Sequence, residues 1–235
     1  MEEKKEPKVI RRLFVDFDKQ RLHASIMLHM RRMRIPSNMI GTDLLKGVVF
    51  GILRHPDISI DEAVSKSVEA SKFPGSEMTV EDGYEYIIEV LEVSSKEDLP
   101  EARTLEESRE IVRKAANSFV AEIRKEFCYE ITIKTLENEL RGERYSIGYE
   151  IVKCMLFKKL YAPESTYECM LNYALRKVGK TIDEKELTLS DLFTYTAQFV
   201  EGENDAVKQK NFEKLLADLE NQVYEEYPYE KVTLE

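Results

Sequence analysis

Histidine, cysteine, glycine and proline are all scarce in this chain, and each scarcity removes a class of protein. There are three histidines among 235 residues, His23, His29 and His55, too few for a histidine metal triad or for most histidine-based hydrolase schemes. His23 and His29 stand six apart and do not share a helix face. They read as surface or internally satisfied side chains. Three cysteines, Cys128, Cys154 and Cys169, are odd in number and lack CxxC spacing, which signals neither a disulfide framework nor a zinc site. Reduced, core-packed thiols are the expectation. Nine glycines and seven prolines cannot punctuate a many-stranded sandwich or barrel, but they are normal for helices. No apolar run reaches the roughly 18 residues of a membrane span. The opening Met-Glu-Glu-Lys-Lys-Glu-Pro lacks the apolar stretch of a signal peptide. A cytoplasmic protein with no membrane contact is expected.

Motifs that carry chemistry are missing too. HExxH, GxSxG and Cys–His pairings do not occur. The glycines Gly41, Gly47 and Gly51 fit neither GxGxxG nor GxxxxGK[ST], and they fall inside a helical pattern, where small residues let two helices approach closely. Glu85 and Glu89 lack the Glu-x-x-His partners of a di-metal site and read as a solvated helix face. No catalytic residue, metal or cofactor is expected, and a non-enzymatic protein is predicted. An all-α enzyme with a site between two repeats is a further alternative.

What the chain does have is an uneven charge and an internal echo. Its net charge of −10 argues against a generic nucleic-acid binder. Yet Lys8–Arg34 carries eight Lys/Arg against only Asp16 and Asp18, whereas the stretch from Glu201 onward carries ten acids against four lysines. Arg11, Arg12, Arg21, Arg31, Arg32 and Arg34 are therefore the candidate interaction surface. The cluster Arg31-Arg32-x-Arg34 before Pro36 admits two readings. Bases at a helix C-terminus complement the helix dipole, and the same bases suit a phosphate or an acidic partner.

The echo appears when the sequence is slid by about 107 positions. Gly41–Pro56 then falls on Gly148–Pro163 without a gap, pairing Lys46 with Lys153, Phe50 with Phe157 and Leu53 with Leu160. After a two-residue adjustment Thr79, Asp82, Tyr86 and Glu92 fall on Thr188, Asp191, Tyr195 and Glu201. Apolar classes match as well, Leu44-Leu45 with Ile151-Val152 and Val64 with Leu171 among them.

Apolar residues recur at helical spacing nearly throughout, without a clear period-two run. The pattern predicts helices at about Val9–Arg34, Asn38–Leu53, Ser59–Lys72 and Thr79–Val93, with stops at Ile35-Pro36 and His55-Pro56. Ser59-Ile-Asp-Glu62 and Thr79-Val-Glu-Asp82 mark helix starts. Val93–Pro100 reads as a linker. Beyond it come a long helix to about Leu140, then Ser146–Leu160, Thr166–Val178, Thr188–Val200 and an extra helix Asp205–Val223. The expected fold is all-α: two tandem, related, helix-turn-helix-like bundles of about four helices, plus a C-terminal helix. The segments are 1–97 with a basic N-terminal helix, 98–203, and 204–235 with an acidic tail.

One segment, Leu28-His-Met-Arg-Arg-Met-Arg-Ile-Pro-Ser-Asn-Met-Ile-Gly-Thr-Asp-Leu-Leu, resembles the start of the C-terminal effector domain of the sporulation-initiation response regulator of endospore-forming bacteria. Ile35-Pro36 and Gly41 match its hydrophobic-Pro step and the glycine five residues on, and Leu45 and Val49 suit the helix that follows. The resemblance covers roughly residues 20–93 and, more weakly, 125–202. It implies a helix-turn-helix at Ile60–Lys72 and Thr79–Val93, with counterparts at Tyr167–Val178 and Thr188–Val200. The helix that would read DNA departs from that family. It carries Glu81, Asp82, Glu85, Glu89 and Glu92 and no base, where base readout needs Arg, Lys, Asn or Gln. A regulatory protein acting through protein contacts is therefore the leading expectation. A DNA-binding transcriptional regulator using the basic N-terminal helix is the alternative. A protein partner is expected, DNA is disfavoured, and homo-oligomers are compatible with either reading.

Overall fold

The computed structural model describes residues 7–13, 18–71, 77–95, 104–140, 146–182 and 187–234. The fold is all-α. Among the described residues the order is β1 (Lys8–Leu13), α1 (Lys19–Arg32), α2 (Ile40–Arg54), α3 (Ile60–Ser71), α4 (Val80–Ser95), α5 (Leu105–Glu139), α6 (Ile147–Tyr161), α7 (Tyr167–Ile182), α8 (Leu189–Tyr195), α9 (Asp205–Glu226) and β2 (Tyr229–Leu234). The chain divides into two compact units, one of residues 15–124 and the other of 1–14 with 125–235. The division falls inside α5, rather than in the 93–100 stretch read as a linker. Val93–Ser95 complete α4, and residues 96–100 lie outside the described residues.

The unit 15–124 is built on α2, which packs against α1, α3 and α4. Its apolar positions Leu44, Leu45, Val48, Val49 and Leu53 are fully buried. Each such side chain removed from water contributes about 1.5–3 kcal/mol. Tyr84, Ile87 and Ile88 of α4 and Val112, Ala116 and Phe119 of α5 complete the core. A polar node ties three helices together. The Asp61 carboxylate of α3 accepts from the Tyr84 hydroxyl at 2.6 Å and from the Arg109 guanidinium at 2.8 Å. Beside it the Ser108 hydroxyl donates to Glu85.

The other unit is built on α6, which packs against α7, α8, α9 and β1. Ile151, Val152, Met155, Leu156 and Leu160 are its buried stripe. Phe212, Leu216, Leu219 and Val223 of α9 are buried at the spacing that Val112, Ala116, Phe119 and Ile123 show in the first half of α5. Each of those segments also follows the fourth helix of its unit.

Several residues paired by the internal echo adopt the same local geometry in the two units, although Glu92 lies within α4 and Glu201 beyond the end of α8. Helices α2 and α6 are both fifteen residues long and end on near-identical caps, His55 at φ −136°, ψ 83° and Ala162 at φ −132°, ψ 77°. The turns that follow close through Ile58 N–H to His55 O and Ser165 N–H to Ala162 O. The next helices open with Ser59 and Thr166 hydroxyls accepting from Glu62 and Cys169 N–H. Glu62 also pairs with Lys66. Thr79–Asp82 and Thr188–Asp191 form matching caps, with each Asp carboxylate accepting from its Thr N–H. A Cβ on Gly41 would overlap the Tyr86 carbonyl oxygen, and one on Gly148 the Tyr195 carbonyl oxygen. The backbones touch there, and glycine is the residue that permits it.

Two sequence expectations are corrected. The basic helix Val9–Arg34 is not one element, because Lys8–Leu13 is a strand. It pairs antiparallel with β2, Lys8 opposite Leu234 and Leu13 opposite Tyr229. Pairing with a segment some 220 residues away leaves no local periodicity to read. Helix α1 starts only at Lys19, where the Asp18 carboxylate caps Gln20 N–H. The helix expected at Thr188–Val200 ends at Tyr195, with Thr196 as its C-cap at φ −97°, ψ 3° and a turn following it.

Candidate functional site: a cationic groove on the first three helices

The six candidate arginines do not share one helix. Arg11 and Arg12 lie on β1, in the unit that contains α9. The Arg11 guanidinium sits 4.5 Å over the Tyr224 ring and donates to Asn221 at 2.8 Å, while Tyr224 hydroxyl donates to Arg11 O. Arg12 faces Glu230 across the strand pair. Arg11 is thereby occupied in fastening the strand to α9. Arg21, Arg31, Arg32 and Arg34 are exposed on α1 or just past its end, in the unit 15–124.

The end of α1 is unusual. Ile35 N–H reaches back to Met30 O and Arg34 N–H to Arg31 O, while Met30 and Ile35 are both buried. This is the Schellman arrangement, in which the residue past the cap is left-handed and is usually glycine. Here it is Arg34, at φ 61°. An L side chain in that conformation costs roughly 1 kcal/mol relative to glycine. Arg31, Arg32 and Arg34 thus place three cationic residues in or just past the last turn, at the negative end of a helix dipole.

The would-be reading helices offer the opposite charge. On α4 the exposed residues include Glu81, Asp82, Glu85 and Glu89. Helix α8 spans only two turns, with Leu192 and Phe193 buried.

A feature that the sequence reading did not assemble lies between α1, α2 and α3. It is a groove of about 540 Å³ whose lining includes Lys19 and His23 from α1, Lys46, Phe50 and Arg54 from α2, and Lys66 from α3. Two glycines of α2 shape it differently. A Cβ on Gly47 would run into the Ser67 hydroxyl. That hydroxyl is itself buried and donates to Leu44 O at 2.8 Å. Gly47 therefore sets the close approach of α2 and α3, as its spacing implies. A Cβ on Gly51 would meet nothing nearer than Ala63 at 3.9 Å, so Gly51 keeps the groove floor low rather than the helices close.

The His23 imidazole stacks on Phe50, ring centroids 4.7 Å apart and planes 7° off parallel. Burial, reinforced by Lys46 and Lys19, holds the His23 pKa below its ordinary value. The imidazole is accordingly neutral at neutral pH and presents a flat apolar face. Lys46 pairs with Asp43 and Lys66 with Glu62, both at the surface, where such pairs are worth about 1 kcal/mol or less. Among the described residues the result is an apolar floor with four cations at its edge against one lining carboxylate, Asp43. Such an arrangement can desolvate an apolar body while solvating an anion. The clue in sequence is the set Lys46, Gly47, Phe50, Gly51 and Arg54, which places small, aromatic and cationic residues on one helix face.

Other expected features fall as follows. Among the described residues no three His, Cys, Asp or Glu side chains are placed to hold a metal, and no helix is long and apolar enough to cross a membrane. The cysteines are free, but only Cys128 is buried. Cys154 is half-buried and Cys169 exposed, because its place on α7 faces outward. A smaller pocket of about 270 Å³ in the other unit contains Tyr167 and Glu220, and the Tyr167 hydroxyl is buried without a hydrogen-bond partner.

No family model, curated protein or solved structure matches this chain.

Proposed function

We propose that this chain is a non-enzymatic regulatory protein, built from two related copies of one helical fold, that acts through protein–protein contact. The observation that carries this reading is the arginine cluster at the end of α1. Arg31, Arg32 and Arg34 are exposed there, and Arg34 holds a left-handed position where glycine would be less costly. Its partner is an acidic protein surface. The kinship with the sporulation effector domain would then mean that a helix-turn-helix scaffold, α3 packed on α4, is kept while its reading face has become acidic. Carboxylates at that face oppose a phosphate backbone by about 1 kcal/mol for each 4 Å pair even in full water screening.

Arg34→Gly separates charge from folding, since it removes a guanidinium and relieves the backbone. The double variant Arg31→Ala/Arg34→Gly should retain or gain thermal stability. It should also lose about fivefold to tenfold in affinity for a fluorescently labelled glutamate-rich helical peptide. The same protein titrated with duplex DNA at about 150 mM salt should show no binding tighter than non-specific levels. Micromolar duplex binding that falls steeply with salt and vanishes in the double variant, with the peptide unbound, would overturn the protein-contact reading in favour of DNA.

A further inference from the structure

We propose that the groove between α1, α2 and α3 is a binding site for a small organic anion, a flat apolar body that carries a carboxylate, sulfonate or phosphate. Its volume of about 540 Å³ lies within the range of small-molecule sites. The floor supplies what an apolar plane needs. Gly51 presents bare backbone, and the stacked His23–Phe50 pair offers a platform already aligned to within 7°. The edge supplies what an anion needs. Lys19, Lys46, Arg54 and Lys66 converge on one concavity of a chain whose net charge is −10. The carboxylate partners of Lys46 and Lys66 are solvent-exposed, so an incoming anion displaces weak pairs rather than buried ones.

The chain itself supplies the control. In the register of the internal echo the positions of Gly47, Gly51, Lys66 and Ala70 are held in the other unit by Cys154, Lys158, Tyr173 and Lys177. There Phe157, the counterpart of Phe50, is buried among rings. It stacks on Tyr161 at 5.8 Å and lies 6.4 Å from Tyr173 and 6.1 Å from Tyr129. Lys158 and Lys177 lie over the Tyr173 ring at 5.9 and 6.0 Å. The same helical frame is therefore compatible with a filled surface at this place. The groove in the unit 15–124 is a consequence of its small side chains, not of the frame. This inference needs neither the protein-contact reading nor the arginines that carry it.

Anilinonaphthalene sulfonate is a suitable probe, because it joins a flat apolar body to one fixed anion. Titration of the full chain should give one saturable site, and amide chemical shifts should move at Gly47, Gly51 and the flanking residues of α1 and α3. Gly51→Leu fills the floor at a position with room for a side chain and should weaken binding by at least about tenfold with an unchanged circular dichroism spectrum. Lys46→Gln should weaken it by about threefold to tenfold, as should raising the salt. Phenylnaphthylamine, which lacks the sulfonate, should bind about tenfold more weakly. The Lys158→Gly change in the other unit should leave the affinity as it was. Unaltered binding in a folded Gly51→Leu protein, shifts confined to other residues, or equal affinity for the uncharged analogue would each overturn the assignment.

Discussion

Substitution of Gly41 by alanine is the sharpest test of how the unit 15–124 is assembled. The added methyl would overlap the Tyr86 carbonyl oxygen and lie 2.8 Å from Val90 Cγ2. Backbone oxygen cannot rotate away as a flexible side chain would, so α2 and α4 must separate by about 1 Å. A gap of that size forfeits a quarter to a half of the dispersion energy of the atoms that lined it. The atoms at stake belong to Leu44, Leu45, Ile87 and Val90, all fully buried. A destabilisation of about 2–4 kcal/mol is expected, at the high end for overpacking. Gly51 lies on the same helix and has nothing nearer than 3.9 Å. Gly51→Ala should therefore stabilise by about 0.5–1 kcal/mol through helix propensity alone. Urea denaturation followed by circular dichroism reads both, and amide hydrogen exchange assigns the change to the unit. Gly148→Ala should repeat the Gly41 result in the other unit, where Tyr195 O blocks the methyl. Equal effects of Gly41→Ala and Gly51→Ala would refute the close-approach argument.

Two further outcomes follow from single groups. The hydrogen bond from Tyr84, aided by Arg109, holds Asp61 below its ordinary 3.8, and burial with the Asp61 charge holds the Tyr84 phenol above its ordinary 10.0. The Asp61 contribution is present above its unfolded value and is lost as pH falls through the depressed one. The Tyr84 contribution is present below about pH 10 and is lost as pH rises. Tyr84→Phe should thus cost about 1 kcal/mol near neutrality, discounted for the half-exposed carboxylate, and the gap from the unaltered protein should narrow at both pH extremes. A gap that stays constant from acid to alkali would contradict the link. Burial pushes the Cys154 thiol up to about 11, whereas Cys169 is exposed. Iodoacetamide at about pH 8 should label Cys169 first in the native protein, as peptide mass mapping would show, and initial labelling of Cys154 would contradict its protected state.

Much of the helical fold was legible because its signals are local. Ile35-Pro36, His55-Pro56 and the Thr79 and Thr188 caps act within one turn of the residues they punctuate, and the observed helices start and stop beside them. Strand β1 was not legible, because its partner β2 lies at the other end of the chain. Six residues with one buried position carry no helical or alternating signature strong enough to separate them from a helix start. That the six arginines do not share one element was not legible for the same reason. Once Lys8–Leu13 is a strand, Arg11 turns to Tyr224 and Asn221.

The sequence by itself determined most of the helices and their caps, since periodicity and capping are written in neighbouring residues. Tertiary structure alone decided what the matched positions do. Gly41 and Gly148 both lie under a tyrosine carbonyl, yet Phe50 and Phe157 part ways, one flooring an open groove and the other closed in by tyrosines. That difference depends on which side chains α3 and α7 bring across to α2 and α6. Concavity is a property of packed surfaces, and no single helix contains it.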